Sequence, residues 1–179
     1  MSPGVPETAH RLVLLRHAKS AWPSGVPDHE RPLAGKGRRN AHAAGEWFTT
    51  AGPRPDLVLI SDAVRTQQTW EIVRGAFPAA PRSRLEPRIY LADVSELLEV
   101  MHEVDESVGT LCLVGHEPGM SSTALTLASP DSERAVVSAV AGKFPTSAVA
   151  VLALTGTWAG LEPRGALLES FSVPRASGS

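Results

Sequence analysis

RLVLLRHAKS, residues 11–20, decides the fold. Leu12 to Leu15 form an unbroken apolar run with no polar alternation. That is the pattern of a strand buried on both faces, as in a parallel sheet. The run then breaks into Arg16-His17-Ala18-Lys19-Ser20, and a strand that ends in such residues delivers them to one edge of the sheet. The same grammar recurs twice downstream. LVLI (57–60) runs into Ser61-Asp62-Ala63-Val64-Arg65, and TLCLV (110–114) runs into Gly115-His116-Glu117-Pro118-Gly119.

Between these strands lie amphipathic segments. A helix is expected from Gly35 to about Thr49, burying Ala41, Ala44 and Phe48. Ser61 can cap a second helix reaching about Phe77, with Trp70, Val73 and Phe77 on one face. Leu85 to Leu91 holds a short strand. Asp93 and Glu96 have capping-box spacing and open a helix that buries Leu97, Leu98, Met101 and Val104. A further helix starts near Pro118, and Ala148–Leu154 and Ala166–Val173 read as strands. The expected fold is an α/β three-layer sandwich, a mostly parallel sheet with helices on both faces. The expected organisation is a flexible lead-in (1–10), one domain (11–174) and a frayed tail (175–179).

Composition narrows the function classes. Of 179 residues, 42% are hydrophobic and 20% charged, which fits a globular domain. The formal net charge of −2 gives no global basic field for nucleic acid or an anionic membrane. The N-terminal residues lack a basic region followed by an apolar one, and no run approaches the roughly 20 apolar residues that span a bilayer. The expected location is the cytoplasm. The one cysteine, Cys112, lies in an apolar run and reads as a buried, inert thiol. His29, His42 and His102 have no ligand spacing, so neither a metal nor another cofactor is expected. Trp22, Trp47, Trp70 and Trp158 are scattered and form no platform for single-stranded nucleic acid.

In parallel sheets the ligand crevice lies outside the carboxyl ends of the strands. Arg16, His17, Arg65 and His116 should therefore converge. Two guanidiniums suit the bidentate recognition of phosphate, and neutral imidazole is a competent nucleophile toward phosphorus.

LLRHAKS, SDAVRTQQT and VGHEPG together resemble the histidine phosphatase (phosphoglycerate mutase-like) superfamily. Its motifs are R-H-G at the first strand end, S-x-x-x-R-x-x-Q-T, and a later G-H. The short chain and DHERPLAGKG are similar to its small, SixA-like phosphohistidine phosphatase branch. The resemblance implies that His17 is the phosphorylated nucleophile and that Arg16, Arg65 and His116 complete the phosphate pocket. It implies a metal-independent phosphatase whose substrate is a phosphorylated protein, through phosphohistidine, or a small phosphomonoester. A mutase-type transferase and a non-catalytic phosphate-binding module are the alternatives. The sequence departs from the family at Ala18, where the motif has glycine. It also leaves the general acid open between Glu86, Asp28, Glu117 and none. Lys19 and Ser20 are further candidates for contact with phosphate or substrate, and Arg31 is expected to hold the loop 18–34 by pairing with a carboxylate. The sequence does not determine the oligomeric state.

Overall fold

The computed structural model describes residues 10–178. It contains a six-stranded sheet in the order β3-β2-β4-β1-β5-β6. The strands are β1 (Arg11–Arg16), β2 (Leu57–Ile60), β3 (Arg82–Leu85), β4 (Thr110–Gly115), β5 (Val149–Leu154) and β6 (Ala166–Ser172). The pairs β1–β4, β2–β4 and β2–β3 are parallel, whereas β5 runs antiparallel to both β1 and β6. The sheet is thus mostly parallel, with β5 the reversed strand.

The alternation of Cβ atoms along each strand divides the core into two layers. Leu12, Leu14, Leu59, Leu111 and Leu113 face α3 (Val94–His102), α4 (Gly119–Leu127) and α5 (Arg134–Gly142). Val13, Leu15, Val58, Ile60, Cys112 and Val114 face α1 (Gly35–Thr50) and α2 (Val64–Arg74), meeting Ala44, Phe48, Trp70 and Val73. Burial pushes the Cys112 thiol pKa up, which makes it the inert core residue expected from its apolar run. No described helix is long and apolar enough to cross a membrane.

Several elements differ from their sequence reading. The strand expected at 85–91 is instead β3 at Arg82–Leu85, fully exposed along its length. Glu86 then turns the chain by accepting from the Arg88 backbone N–H, and Pro87, which has no N–H, opens a 3₁₀ turn. α2 begins at Val64 rather than Ser61, because the Ser61 hydroxyl is engaged by His116 at 2.7 Å. It stops at Arg74, short of Phe77. Helix α5 has no counterpart in the sequence reading. Residues 1–9 of the expected lead-in lie outside the described residues. His10, its last member, is buried, with its Nε2 2.8 Å from the Glu106 carboxylate. In the expected tail, Arg175 donates to the Thr146 carbonyl and the Ala176 N–H to Asn40 Oδ1; Ser179 is outside the described residues.

Register positions the site. Arg16 pairs with Gly115, and Ile60 with Val114, so β1, β2 and β4 end level with one another. The reversed β5 starts at this same edge, where the Ser147 N–H donates to the His17 carbonyl at 3.1 Å.

Candidate active site

One cavity of about 450 Å³ opens over these strand ends. Arg16, His17, Lys19, Ser20, Arg65 and His116 all line it. Arg16, His17 and His116 sit at the ends of β1 and β4, and Arg65 lies in the first turn of α2, after β2.

His17 is 7% exposed. Its Nδ1 lies 2.7 Å from the Ala18 carbonyl, which can only accept. Nδ1 therefore carries the proton, and Nε2 keeps its lone pair and has no hydrogen-bond partner among the described residues. Burial holds the His17 pKa down to about 4, against the Ala18 hydrogen bond, with Arg65, Arg16 and Arg31 lowering it further. At neutral pH the ring is uncharged. The Ala18 methyl, which departs from the R-H-G motif, fits without exposure against Leu33 and Ala41, and its N–H donates to Thr69 Oγ1.

His116 lies beside it, with ring centroids 5.3 Å apart. Arg65 Nη2 can only donate, and it sits 3.3 Å from His116 Nδ1. Nε2–H therefore donates to Ser61 Oγ at 2.7 Å. Burial, with the neighbouring cations, holds the His116 pKa down to about 3, so this ring is neutral too.

Both guanidiniums are anchored by carbonyls; Arg65 also pairs with the Asp28 carboxylate at 3.1 Å, whereas Arg16 has no ion-pair partner among the described residues. Arg16 donates to the Phe144 carbonyl at 2.8 Å and Arg65 to the Asp28 carbonyl at 2.7 Å. Arg16 Nε and Arg65 Nε are buried with no acceptor. Unpartnered buried donors are costly unless a ligand completes them. The cavity therefore presents two guanidiniums held in place, one of them shared with Asp28, beside a free imidazole nitrogen.

The three carboxylates considered as general acids are all clasped. Glu86 is not in the cavity. Its carboxylate accepts from the Arg88 backbone and guanidinium and from Arg84, and Arg88 foremost holds its pKa below the usual range. Of the alternatives left open for the general acid, Glu86 is the one that does not line this cavity. Its side chain is directed to arginines of its own segment, Arg84 and Arg88.

Asp28 lines the cavity and joins much of its wall. Oδ2 accepts from the Tyr90 hydroxyl at 2.5 Å and from Arg65 at 3.1 Å, and Oδ1 from Arg31 at 3.1 Å. The Tyr90 hydrogen bond, then Arg31 and Arg65, bring its pKa down to about 2 against the effect of burial. Glu117 also lines the cavity, and both of its oxygens accept from Ser121, each at 2.7 Å. Ser20 Oγ accepts from Arg31 at 2.6 Å, and Lys19 is exposed at the rim. The Arg31–Asp28 pair gives the loop 18–34 the carboxylate partner expected of it.

The sequence reading does not single out Tyr90, Leu91 or Thr146, although all three border this site. Each comes from a connection whose approach depends on tertiary packing, and no local pattern marks them.

Comparison with known proteins agrees with the motifs. The family model of the histidine phosphatase superfamily (branch 1) matches residues 12–89. The uncharacterized protein Rv1276c of Mycobacterium tuberculosis (strain H37Rv) is 44% identical over 162 residues, 90% of this chain and 100% of its own length. The solved structure of the candidate phosphohistidine phosphatase SixA from Nakamurella multipartitia is 34% identical, with a TM-score of 0.82. The match covers 95% of this chain and 99% of that one. A SixA candidate from Agrobacterium tumefaciens is 30% identical with a TM-score of 0.75, covering 93% and 99% respectively.

Proposed function

The chain belongs to the histidine phosphatase superfamily, on its SixA-like branch, and we propose that it is a metal-independent phosphatase that carries the phosphoryl group on His17 Nε2 and acts on phosphohistidine. The observation that carries this reading is the meeting of a free imidazole lone pair on His17 with Arg16, Arg65 and a second neutral imidazole, His116, around one cavity.

The chemistry proceeds in two displacements. The His17 Nε2 lone pair attacks phosphorus, the bond to the leaving group breaks, and its electrons depart with that group. Arg16 and Arg65 hold the equatorial oxygens, whose charge is the main thing a phosphoryl-transfer site must stabilise. His116 supplies an N–H donor once it turns from Ser61. A water then attacks phosphorus, the P–N bond to His17 breaks, and inorganic phosphate leaves. The water proton passes to the departing phosphate or to solvent, and His17 returns to its neutral form.

The clasped carboxylates select the leaving group. Asp28 is ionised, Glu86 lies outside the cavity, and Glu117 is bound to Ser121, so no protonated carboxyl stands ready. An alkoxide leaving group needs such an acid. Imidazole does not: its conjugate acid has a pKa near ~6.5, and a proton already on the distal ring nitrogen lets it leave neutral. Phosphohistidine therefore suits this site better than a serine phosphate does.

The test is single-turnover labelling with a radioactive phosphodonor in the presence of a chelator. The wild-type protein should acquire a label that is lost in acid and kept in alkali, as a phosphoramidate is. His17→Ala should acquire none and should turn over less than a few per cent as fast, while melting near the wild-type temperature. An acid-stable label, or turnover that requires added Mg²⁺, would rule out this mechanism.

A further inference from the structure

The rim of the cavity and the start of α1 beside it carry two features outside the phosphate well. The first is apolar. Trp22 is 78% exposed and Leu91 58% exposed, and both line the cavity. Exposed apolar side chains of this size around one cavity mark interaction sites. The Arg31 guanidinium covers one face of the Trp22 ring, 3.5 Å from its centroid, and Arg31 is itself tied to Asp28 and Ser20. The indole is thus pinned on one side and open to solvent on the other.

The second feature is charge. Lys19, Lys36, Arg38 and Arg39 are exposed, and none has an ion-pair partner among the described residues. Three of them lie in the opening turns of α1, which has no side-chain cap and no acidic residue in its first turn. Cations there oppose the helix dipole, so their placement lowers the stability of α1. This helix start is joined directly to the cavity wall. The Ala34 N–H donates to the Lys19 carbonyl at 2.9 Å, and Gly37 sits so close that a Cβ would lie 2.0 Å from the same oxygen. The whole chain carries a net charge of −2, so three cations within four residues at the start of α1 are a local excess and not a reflection of composition.

We propose that Trp22, Leu91 and the Lys19–Lys36–Arg38–Arg39 cluster form a docking surface for an acidic protein surface around the phosphorylated histidine. The inference rests on the phosphohistidine reading of the site. The partner's phosphoryl group enters the cationic well, its flanking side chains cover Trp22 and Leu91, and its carboxylates face the start of α1. A small phosphate ester fills the well and reaches neither feature.

The test compares three substrates: phosphoramidate, and two synthetic peptides with a single phosphohistidine, one flanked by Asp and Glu and one by Lys. Wild type should favour the acidic peptide over the basic one by about tenfold or more in kcat/KM at low ionic strength. That preference should shrink toward unity near ~0.5 M salt, where exposed charges are screened. Lys36→Glu/Arg38→Glu/Arg39→Glu should reverse the preference and melt no lower than wild type, because it relieves the helix dipole. Trp22→Ala should lower kcat/KM for both peptides about tenfold more than for phosphoramidate, as loss of an aromatic anchor does. Equal cleavage of the two peptides by wild type, or an unchanged preference in the charge-reversed variant, overturns the proposal. So does inhibition of phosphoramidate turnover by vesicles of anionic phospholipid without peptide discrimination, which would assign the patch to a membrane. No release of phosphate from phosphoramidate or either peptide sinks the phosphohistidine reading itself, and the docking surface with it.

Discussion

His17 and His116 are both neutral imidazoles at strand ends, and their hydrogen bonds separate their roles. His17 spends its proton on the Ala18 carbonyl and keeps Nε2 free, whereas His116 has both nitrogens engaged by Arg65 and Ser61. A nucleophile needs the first arrangement and a donor the second. The arginines divide in a similar way. Arg16 and Arg65 line the cavity, Arg65 shared with Asp28, while Arg84 and Arg88 are bound to Glu86 outside it. Arg65→Ala should therefore lower kcat/KM by roughly 10²-fold, the size expected for one preorganised donor. Lysine at position 65 should restore little, since it lacks the planar fork. Glu86→Gln should stay within about threefold of wild type, because the activity does not pass through that carboxylate. Steady-state kinetics on an aryl phosphate checks all three variants. A loss at Glu86 as large as at Arg65 would return Glu86 to the site.

The strands supply the level edge, and α1 supplies the wall of the loop that rises from it. Its Gly37 is a close-approach position with no room for a side chain, since a Cβ would fall 2.0 Å from the Lys19 carbonyl oxygen. Gly37→Ala should force α1 and the 18–34 loop apart, costing about 1–3 kcal/mol. Chemical denaturation should show this cost, accompanied by a rise in KM as Lys19 and Ser20 shift. An alanine variant as stable as wild type would contradict this packing. Elements differ in how plainly the chain announces them, and burial is the reason. Strands β1, β2 and β4 are covered on both faces, so their apolar runs are continuous and readable. The capping box of α3 is a local side-chain motif, and both of its hydrogen bonds form. Strand β3, RSRL, is an exposed edge strand held by backbone pairing to β2, and its side chains carry no pattern. The start of α2 is not legible locally, because Ser61 can either cap a helix or hold His116, and only tertiary structure decides between them. The cationic residues of the site are legible for the same reason as their strands: each follows a readable run. Tyr90, Leu91 and Thr146 reach the site through connections, where sequence spacing carries no distance.

For the molecule as a whole, burying two neutral histidines makes stability depend on pH. The unfolded chain binds a proton at each imidazole below about pH 6.5. The folded protein refuses it until about pH 4 at His17 and about pH 3 at His116, because burial and the flanking arginines disfavour the charged rings. Between those limits the unfolded state holds more protons, so stability rises with pH there and falls on acidification. Above pH 6.5 both states are neutral and the contribution is complete; it is lost as pH drops through 6.5 toward 4. The loss amounts to a few kcal/mol per ring, since each tenfold difference in proton affinity between the folded and unfolded states corresponds to about 1.4 kcal/mol. Asp28, with its pKa lowered to about 2, acts in the same direction at still lower pH, weakly, since its side chain is 44% exposed. A bound oxyanion should oppose the effect, because a negative charge in the well favours protonated imidazole and also stabilises the fold by mass action. The measurement is the melting temperature from pH 7.5 to 4, with and without inorganic phosphate. Wild type should melt progressively lower below about pH 6.5, and phosphate should flatten that slope. The variant His17→Gln/His116→Gln should show a shallower slope over the same range, whatever its absolute melting temperature. If that variant keeps the wild-type slope, the acid sensitivity originates elsewhere, and the two rings are not held neutral by the burial described here.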